Sequence, residues 1–311
     1  MTIFIAGGAG FIGTNLSHHL LKKYPKYELV VMDNLSSSVG NNLVDLKRHR
    51  QFQFIEGDVC NAKLVTKVFQ QYSPQIVINT SHTQDLTQAI RTYGLGNFEL
   101  LRNTAATAAR FILVSSGKIY AHHTDHLQDE NSTLHPITTI TAALAGADLM
   151  TTAFATEHQI SADVLRIANL FGPHQSTHHL LPRLIRLALN NQDIPIHGDG
   201  TQTRRWLHIQ DLINLLDLLI HARPKTFAGR VFNVTGEQEV SILETVELIL
   251  TMLDKPKDLI SFAPEAPFST YRLDNSHVHE ATGWTPTGEF KPLLASTIQW
   301  YTQMQLQKLD K

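Results

Sequence analysis

Cys60 is the only cysteine in the chain, so no intrachain disulfide can brace the fold and packing has to hold it together. Charge of one sign is also missing. The 26 Lys and Arg against 28 Asp and Glu leave a formal net charge of -2, with no basic block for nucleic acid and no polybasic membrane tether. The longest apolar helical run, Leu212 to Ala222, contains Asn214 and Asp217 and is too short to span a bilayer. No metal is expected: His178 and His179 are adjacent, and no His-Glu-x-x-His occurs. The first apolar strand starts almost at Met1, where a secretory leader finds no room, so a cytoplasmic protein is expected. Repeats and low-complexity tracts are absent. What remains is 311 residues, 42% hydrophobic and 17% charged, which suits a packed globular protein.

Apolar runs and helical patterns alternate along the first half. Thr2–Ala6, Glu28–Met32, Phe52–Glu56, Gln75–Asn79, Phe111–Ser115 and Ala162–Ile167 read as strands. Helices are expected over Phe11–Tyr24, after Glu56 as far as Phe69, within Gln84–Ala109 and near Thr138–Glu157. That alternation predicts an α/β fold with a parallel sheet covered on both faces. After Gly172 the expected elements are helices Leu180–Asn190, Asp211–Ala222, Ile242–Leu253 and Leu293–Gln305, strand Arg230–Val234, and a Gly- and Thr-rich loop, His197–Thr203.

Between the first strand and the first helix stands Gly7-Gly8-Ala9-Gly10-Phe11-Ile12-Gly13. Glycines there allow a tight turn and let the backbone approach a pyrophosphate, which the free amides of the helix N-terminus then hold. Asp33 ends the second strand, 20 residues after Gly13. A carboxylate at that place accepts the adenosine ribose hydroxyls and repels a 2′-phosphate, favouring NAD over NADP. The expected cofactor is therefore NAD on a Rossmann-type doubly wound sheet. Asp58, after the third strand, is a candidate for the adenine edge, although taken alone it reads more readily as a turn or cap residue.

Gly7 to Gly13, Asp33-Asn34-Leu35-Ser36 and Gly57-Asp58-Val59 resemble the extended short-chain dehydrogenase/reductase family, closest to its nucleotide-sugar epimerases and 4,6-dehydratases. Ser115-Ser116-Gly117-Lys118-Ile119-Tyr120, Leu165 to Pro173, Gly198 to Trp206, Phe232-Asn233-Val234 and Gly283-Trp284 extend the resemblance over nearly the whole chain. It implies a cofactor site at Gly7, Gly10, Phe11, Ile12, Gly13, Asp33, Asn34, Asp58, Val59, Thr80 and Ser81. It implies that Ser116 hydrogen-bonds the sugar at its reacting carbon, that Asn169 contacts the diphosphate and that Arg204 pairs with a phosphate. Residues 1–171 would form the NAD-binding domain. Residues 172–311 would form mainly a smaller mixed α/β region for a dTDP- or UDP-hexose, with segments near 206–240 returning to the first domain. Relatives pair through two helices, which implies a homodimer through those near 84–109 and 138–157.

The chain departs from that pattern at its chemical centre. The family uses a Tyr and, four residues on, a Lys, which share one helix face. Ile140 and Leu144 stand at those positions. After Tyr120 the next tyrosine is Tyr271, and after Lys118 the next lysine is Lys225, so no shift in alignment restores the pair. Loss of such acid–base groups costs about 10²- to 10⁴-fold in rate. Gly117-Lys118 replaces the dehydratases' Asp-Glu pair, Arg205 stands where an acid is usual, and Ala263 to Thr270 lacks a second diphosphate arginine. His82, His122, His123, His126 and His135 are the candidates for a substitute base, with exposed loop residues as the simpler reading. Two functions follow: slow or unusual epimerase/dehydratase chemistry, or an inactive NAD-binding module or structural subunit.

Overall fold

A computed structural model of the chain describes residues 1–36, 42–120, 127–222, 229–264 and 272–309. Strands β1 (Thr2–Ala6), β2 (Glu28–Asp33), β3 (Phe52–Glu56), β4 (Ile76–Asn79), β5 (Arg110–Ser116) and β6 (Ala162–Ile167) alternate with helices α1 (Phe11–Lys23), α2 (Ala62–Tyr72), α3 (Leu86–Ala89), α4 (Asn97–Thr107) and α5 (Thr139–His158). After β7 (Leu170–Phe171) come α6 (Leu180–Leu189), β8 (Ile194–His197), β9 (Thr203–Arg205), β10 (Leu207–His208), α7 (Ile209–His221) and β11 (Gly229–Val234). The chain continues through β12 (Glu239–Ser241), α8 (Ile242–Met252), β13 (Ile260–Ala263), α9 (Ser276–Thr282) and α10 (Phe290–Leu309).

Seven strands form one parallel sheet in the order β11-β6-β5-β4-β1-β2-β3. The order reverses between β1 and β4, which opens a crevice at their carboxyl ends, where ligands of such sheets bind. Alternate side chains of each strand supply opposite faces. Ile3, Ile5, Leu29, Val31 and Ile112 join α1 and α7 in one apolar cluster. Phe4, Val30, Val77, Phe111 and Val164 join α2, α4 and α5 in another. Across the first face Asp217 of α7 takes the Lys23 ammonium at 2.6 Å, the His19 ring at 2.9 Å and the Tyr24 hydroxyl at 3.0 Å, tying α7 to α1. A third cluster, from α6, β8, α8 and α10, forms the core of the C-terminal part. No helix among the described residues is long and apolar enough to cross a membrane.

Most expected elements lie within two or three residues of their observed bounds. The helical region 84–109 is the exception. It is a short α3, a π-helical stretch Ile90–Gly96 and then α4. The wider π turn admits Gly94 and Gly96, and Gly96 is needed because a Cβ there would lie 2.6 Å from Val59.

Candidate active site

The crevice between β1 and β4 is built around the glycine turn. Gly7 adopts φ +69°, and a Cβ on it would lie 2.6 Å from the Ser81 backbone. A Cβ on Gly13 would lie 2.3 Å from Gly8, so the helix sits on the turn only because that side chain is missing. Gly10 opens α1 with no side-chain cap, and the amides of Phe11, Ile12 and Gly13 find no acceptor among the described residues. Three aligned donors at the positive end of a 13-residue helix suit a pyrophosphate.

Asp33 faces this turn. Its Oδ2 accepts the Ala9 amide at 3.0 Å and its Oδ1 the Leu35 amide at 2.7 Å. Burial raises its carboxyl above the ordinary range despite those two bonds. Each oxygen retains acceptor capacity for a vicinal diol. Asn34 donates to Asp58 at 3.3 Å, and Asp58 also accepts the Cys60 amide at 2.8 Å. Val59 is buried against Gly96. The Thr80 hydroxyl is committed to the Ala6 and Gly7 carbonyls, at 2.8 and 3.1 Å, so Thr80 offers the crevice backbone only. Ser81 follows it, with its amide bound to Asn79 Oδ1. The residues present fit a dinucleotide with a free ribose diol.

Beyond the crevice, Ser116 ends β5. It is half-buried, and its Oγ accepts the Lys118 amide at 3.2 Å. The following turn is fixed from below by Tyr120, whose hydroxyl donates to Asn233 at 2.8 Å and accepts from Arg166 at 2.5 Å. Burial pushes that phenol up to about 12. Arg166 in turn grips Asp148 of α5 through both carboxylate oxygens, at 2.8 and 2.9 Å, with both side chains almost wholly buried. One network therefore sets β5, β6, β11 and α5 relative to one another.

On α5, Thr138 caps the first turn reciprocally with Thr141. Leu144 is buried in the apolar cluster that also holds Tyr93, Leu113 and Ile119, and Ile140 packs at its margin. His82, leaving β4, has its Nδ1 2.7 Å from the Tyr93 hydroxyl. The residue as a whole is exposed, yet the partial burial of its ring, with His179 and Lys118, brings its pKa down to about 4. It is a neutral imidazole at neutral pH. His135 is an exposed loop residue, and His122, His123 and His126 lie outside the described residues.

The C-terminal candidates come from two loops. Asn169 is half-buried with φ +47°, a left-handed conformation that asparagine tolerates, and its carbonyl accepts the Leu207 amide. Arg204 lies on β9, which pairs antiparallel with β12. Its neighbour Arg205 is turned away into an ion pair with Glu239 at 3.1 Å, which Arg272 shares at 2.6 Å. Sequence reasoning missed Arg272 and the Arg166–Asp148–Tyr120 network. Each joins residues far apart in the chain, and no local pattern announces them.

The model of the NAD dependent epimerase/dehydratase family matches residues 3–235. The dTDP-glucose 4,6-dehydratase of Neisseria gonorrhoeae is 29% identical, over 96% of this chain and 95% of that protein. The crystal structure of dTDP-glucose 4,6-dehydratase from Bacillus anthracis in complex with NAD superimposes with a TM-score of 0.90 at 28% identity, covering 97% of each chain. UDP-glucose 4-epimerase from Thermotoga maritima, solved with UDP-glucose, shares the fold at a TM-score of 0.88 and 23% identity, over 98% of this chain and 100% of that one.

Proposed function

Because this chain belongs to the NAD dependent epimerase/dehydratase family, we propose that it holds NAD in the Gly7–Gly13 crevice and a dTDP- or UDP-hexose beside Ser116, and that it turns the sugar over slowly or by an unusual route. In this reading residues 1–171 carry the cofactor and 172–311 mainly the sugar, with segments near 206–240 returning to the first unit. Gly7, Gly10, Phe11, Ile12 and Gly13 face the pyrophosphate. Asp33 takes the ribose diol, and Asn34, Asp58, Val59, Thr80 and Ser81 line the walls. Ser116 bonds the sugar oxygen at the reacting carbon, Asn169 contacts the diphosphate and Arg204 pairs with a phosphate. NAD, when bound, supplies the hydride acceptor.

One observation carries the reading: on α5 the residues that this reading assigns to proton transfer, Ile140 and Leu144, are apolar, with Leu144 packed into the core, while the glycine turn and Asp33 are in place for a dinucleotide. Neither Ile140 nor Leu144 can move a proton. The same packing favours a second reading, an NAD-binding module or structural subunit without turnover. A panel of dTDP- and UDP-hexoses separates the two. Reduction of bound NAD on adding sugar supports slow chemistry, and NAD-dependent thermal stabilisation with no absorbance change supports the inactive module.

Asp33→Ala tests the cofactor site. Loss of hydrogen bonds to a charged acceptor costs about 1.5–3 kcal/mol, so NAD affinity falls by about 10- to 100-fold. Titration calorimetry reads this, and unchanged affinity removes Asp33 from the site.

A homodimer belongs to the same proposal. Leu86, Ile90, Phe98 and Leu149 are exposed apolar residues on α3, the π-helical stretch, α4 and α5. A second copy of this face would cover them. Light scattering should give twice the chain mass, and Leu149→Asp should halve it. A monomeric parent protein would end the dimer reading.

A further inference from the structure

The glycine turn is held from outside by a side chain of another loop. Asn42, buried beyond the end of β2, donates from Nδ2 to the Ala9 carbonyl at 3.2 Å. Ala9 also gives its amide to Asp33, and the Gly10 amide, on the far side of the Ala9–Gly10 peptide bond, donates to the Gly7 carbonyl at 3.1 Å. These bonds set the plane of that peptide. Its plane in turn sets where the next two amides, of Phe11 and Ile12, point.

His174 orients Asn42. A carbonyl only accepts, so Nδ2 has to face Ala9, and Oδ1 then faces His174, whose Nδ1 lies 3.1 Å away. Oδ1 also only accepts, so the His174 proton has to sit on Nδ1. Burial, with His18 beside it, brings the His174 pKa to about 4 against the pull of Asp45, and the neutral ring has one proton to place. The ring is fixed by packing. It stacks on His18 of α1 with centroids 5.6 Å apart and meets Trp300 of α10 at 4.8 Å. Its backbone has φ +67°, and the carbonyl of Pro173 before it accepts from Asn15 of α1 at 3.0 Å. The segment between β7 and α6 is thereby clamped to the helix that opens at the glycine turn.

We propose that His174 is a positioning residue for the cofactor: through Asn42 it fixes the Ala9–Gly10 peptide and so aims the α1 amides at the pyrophosphate. The proposal rests on the reading that NAD lies on the glycine turn. The role needs no contact between His174 and the dinucleotide. It gives the C-terminal part of the chain, through Trp300, a share in holding the cofactor.

NAD titration calorimetry of the full chain is the test, with thermal melting of the NAD-free protein beside it. His174→Phe keeps an aromatic ring between His18 and Trp300 but has no donor for Asn42. Its NAD dissociation constant should rise about fivefold, the weight of one neutral hydrogen bond. His174→Asn is the conservative variant. It sets an amide N–H close to where Nδ1 stands and tolerates the left-handed backbone, but gives up the stack. It should bind NAD nearly as well as the parent while melting at a lower temperature. A packing role alone predicts the reverse order, with His174→Phe near the parent and His174→Asn weak, and that order overturns the proposal. In an Asn42→Leu background, where the link is already cut, His174→Phe should cost no further affinity, and a further loss of the same size overturns it as well. If Asp33→Ala weakens NAD and His174→Phe does not, the positioning role falls and the cofactor reading stands. If neither does, both fall together.

Discussion

In the double variant Ile140→Tyr/Leu144→Lys, reduction of bound NAD by the preferred nucleotide sugar should be faster by about 10²- to 10⁴-fold, the usual contribution of general acid–base groups. The backbone for this gain is already in place. α5 runs unbroken from Thr139 to His158, its first turn is capped, and residues 140 and 144 lie one turn apart on one face. Ile140 sits at the margin of the apolar cluster, where a phenol can reach outward. Leu144 is the harder position, because an ammonium there enters a nest of Leu113, Ile119 and Tyr93. Some thermal stability should be lost, and NAD binding should recover part of it. The readout is single-turnover nicotinamide absorbance. It follows hydride transfer alone and does not require any later loss of water from the sugar. A folded, NAD-binding double variant with an unchanged rate would dismiss Ile140 and Leu144 as the emptied acid–base positions.

The largest loss of stability is expected from Asp148→Ala, at about 3–5 kcal/mol, because it strands a buried guanidinium. Arg166 would keep Tyr120 at 2.5 Å and the Glu130 carbonyl at 3.1 Å but lose both carboxylate bonds. Denaturant unfolding measures the cost. The replacement Asp148→Leu/Arg166→Met should recover most of it, since an apolar pair of similar volume removes both charges. A loss below about 1 kcal/mol for Asp148→Ala would mean that water reaches Arg166, and the network would then not hold the Ser116 turn.

The parts legible from sequence share one property: their signal is local and periodic. Strands β1 to β6 are apolar runs of four to seven residues bounded by turns, and their covering helices repeat every three to four residues. The glycine turn and Asp33 were legible because the spacing is imposed by one ligand. The two-residue β7 and β10 and the three-residue β9 and β12 are too short to show a period. Their pairing depends on partners thirty or more residues away, as in Arg205 opposite Glu239. His82 reads as an exposed loop histidine and is exposed, but its contact with Tyr93 was not legible. Its bond to Tyr93 depends on the π-helical stretch, which helical periodicity does not distinguish from a regular helix.

The order of the main sheet also bears on how the chain reaches its native state during synthesis. β6 pairs on one side with β5, which precedes it, and on the other with β11, which leaves the ribosome only after α6, α7 and strands β7 to β10. Until Gly229–Val234 arrives, the outer edge of β6 presents unpaired N–H and C=O groups beside buried side chains such as Val164 and Leu165. A nascent chain stopped before that strand should therefore need a holding chaperone, or associate through that open edge, and should not persist as a soluble nucleotide-binding fragment.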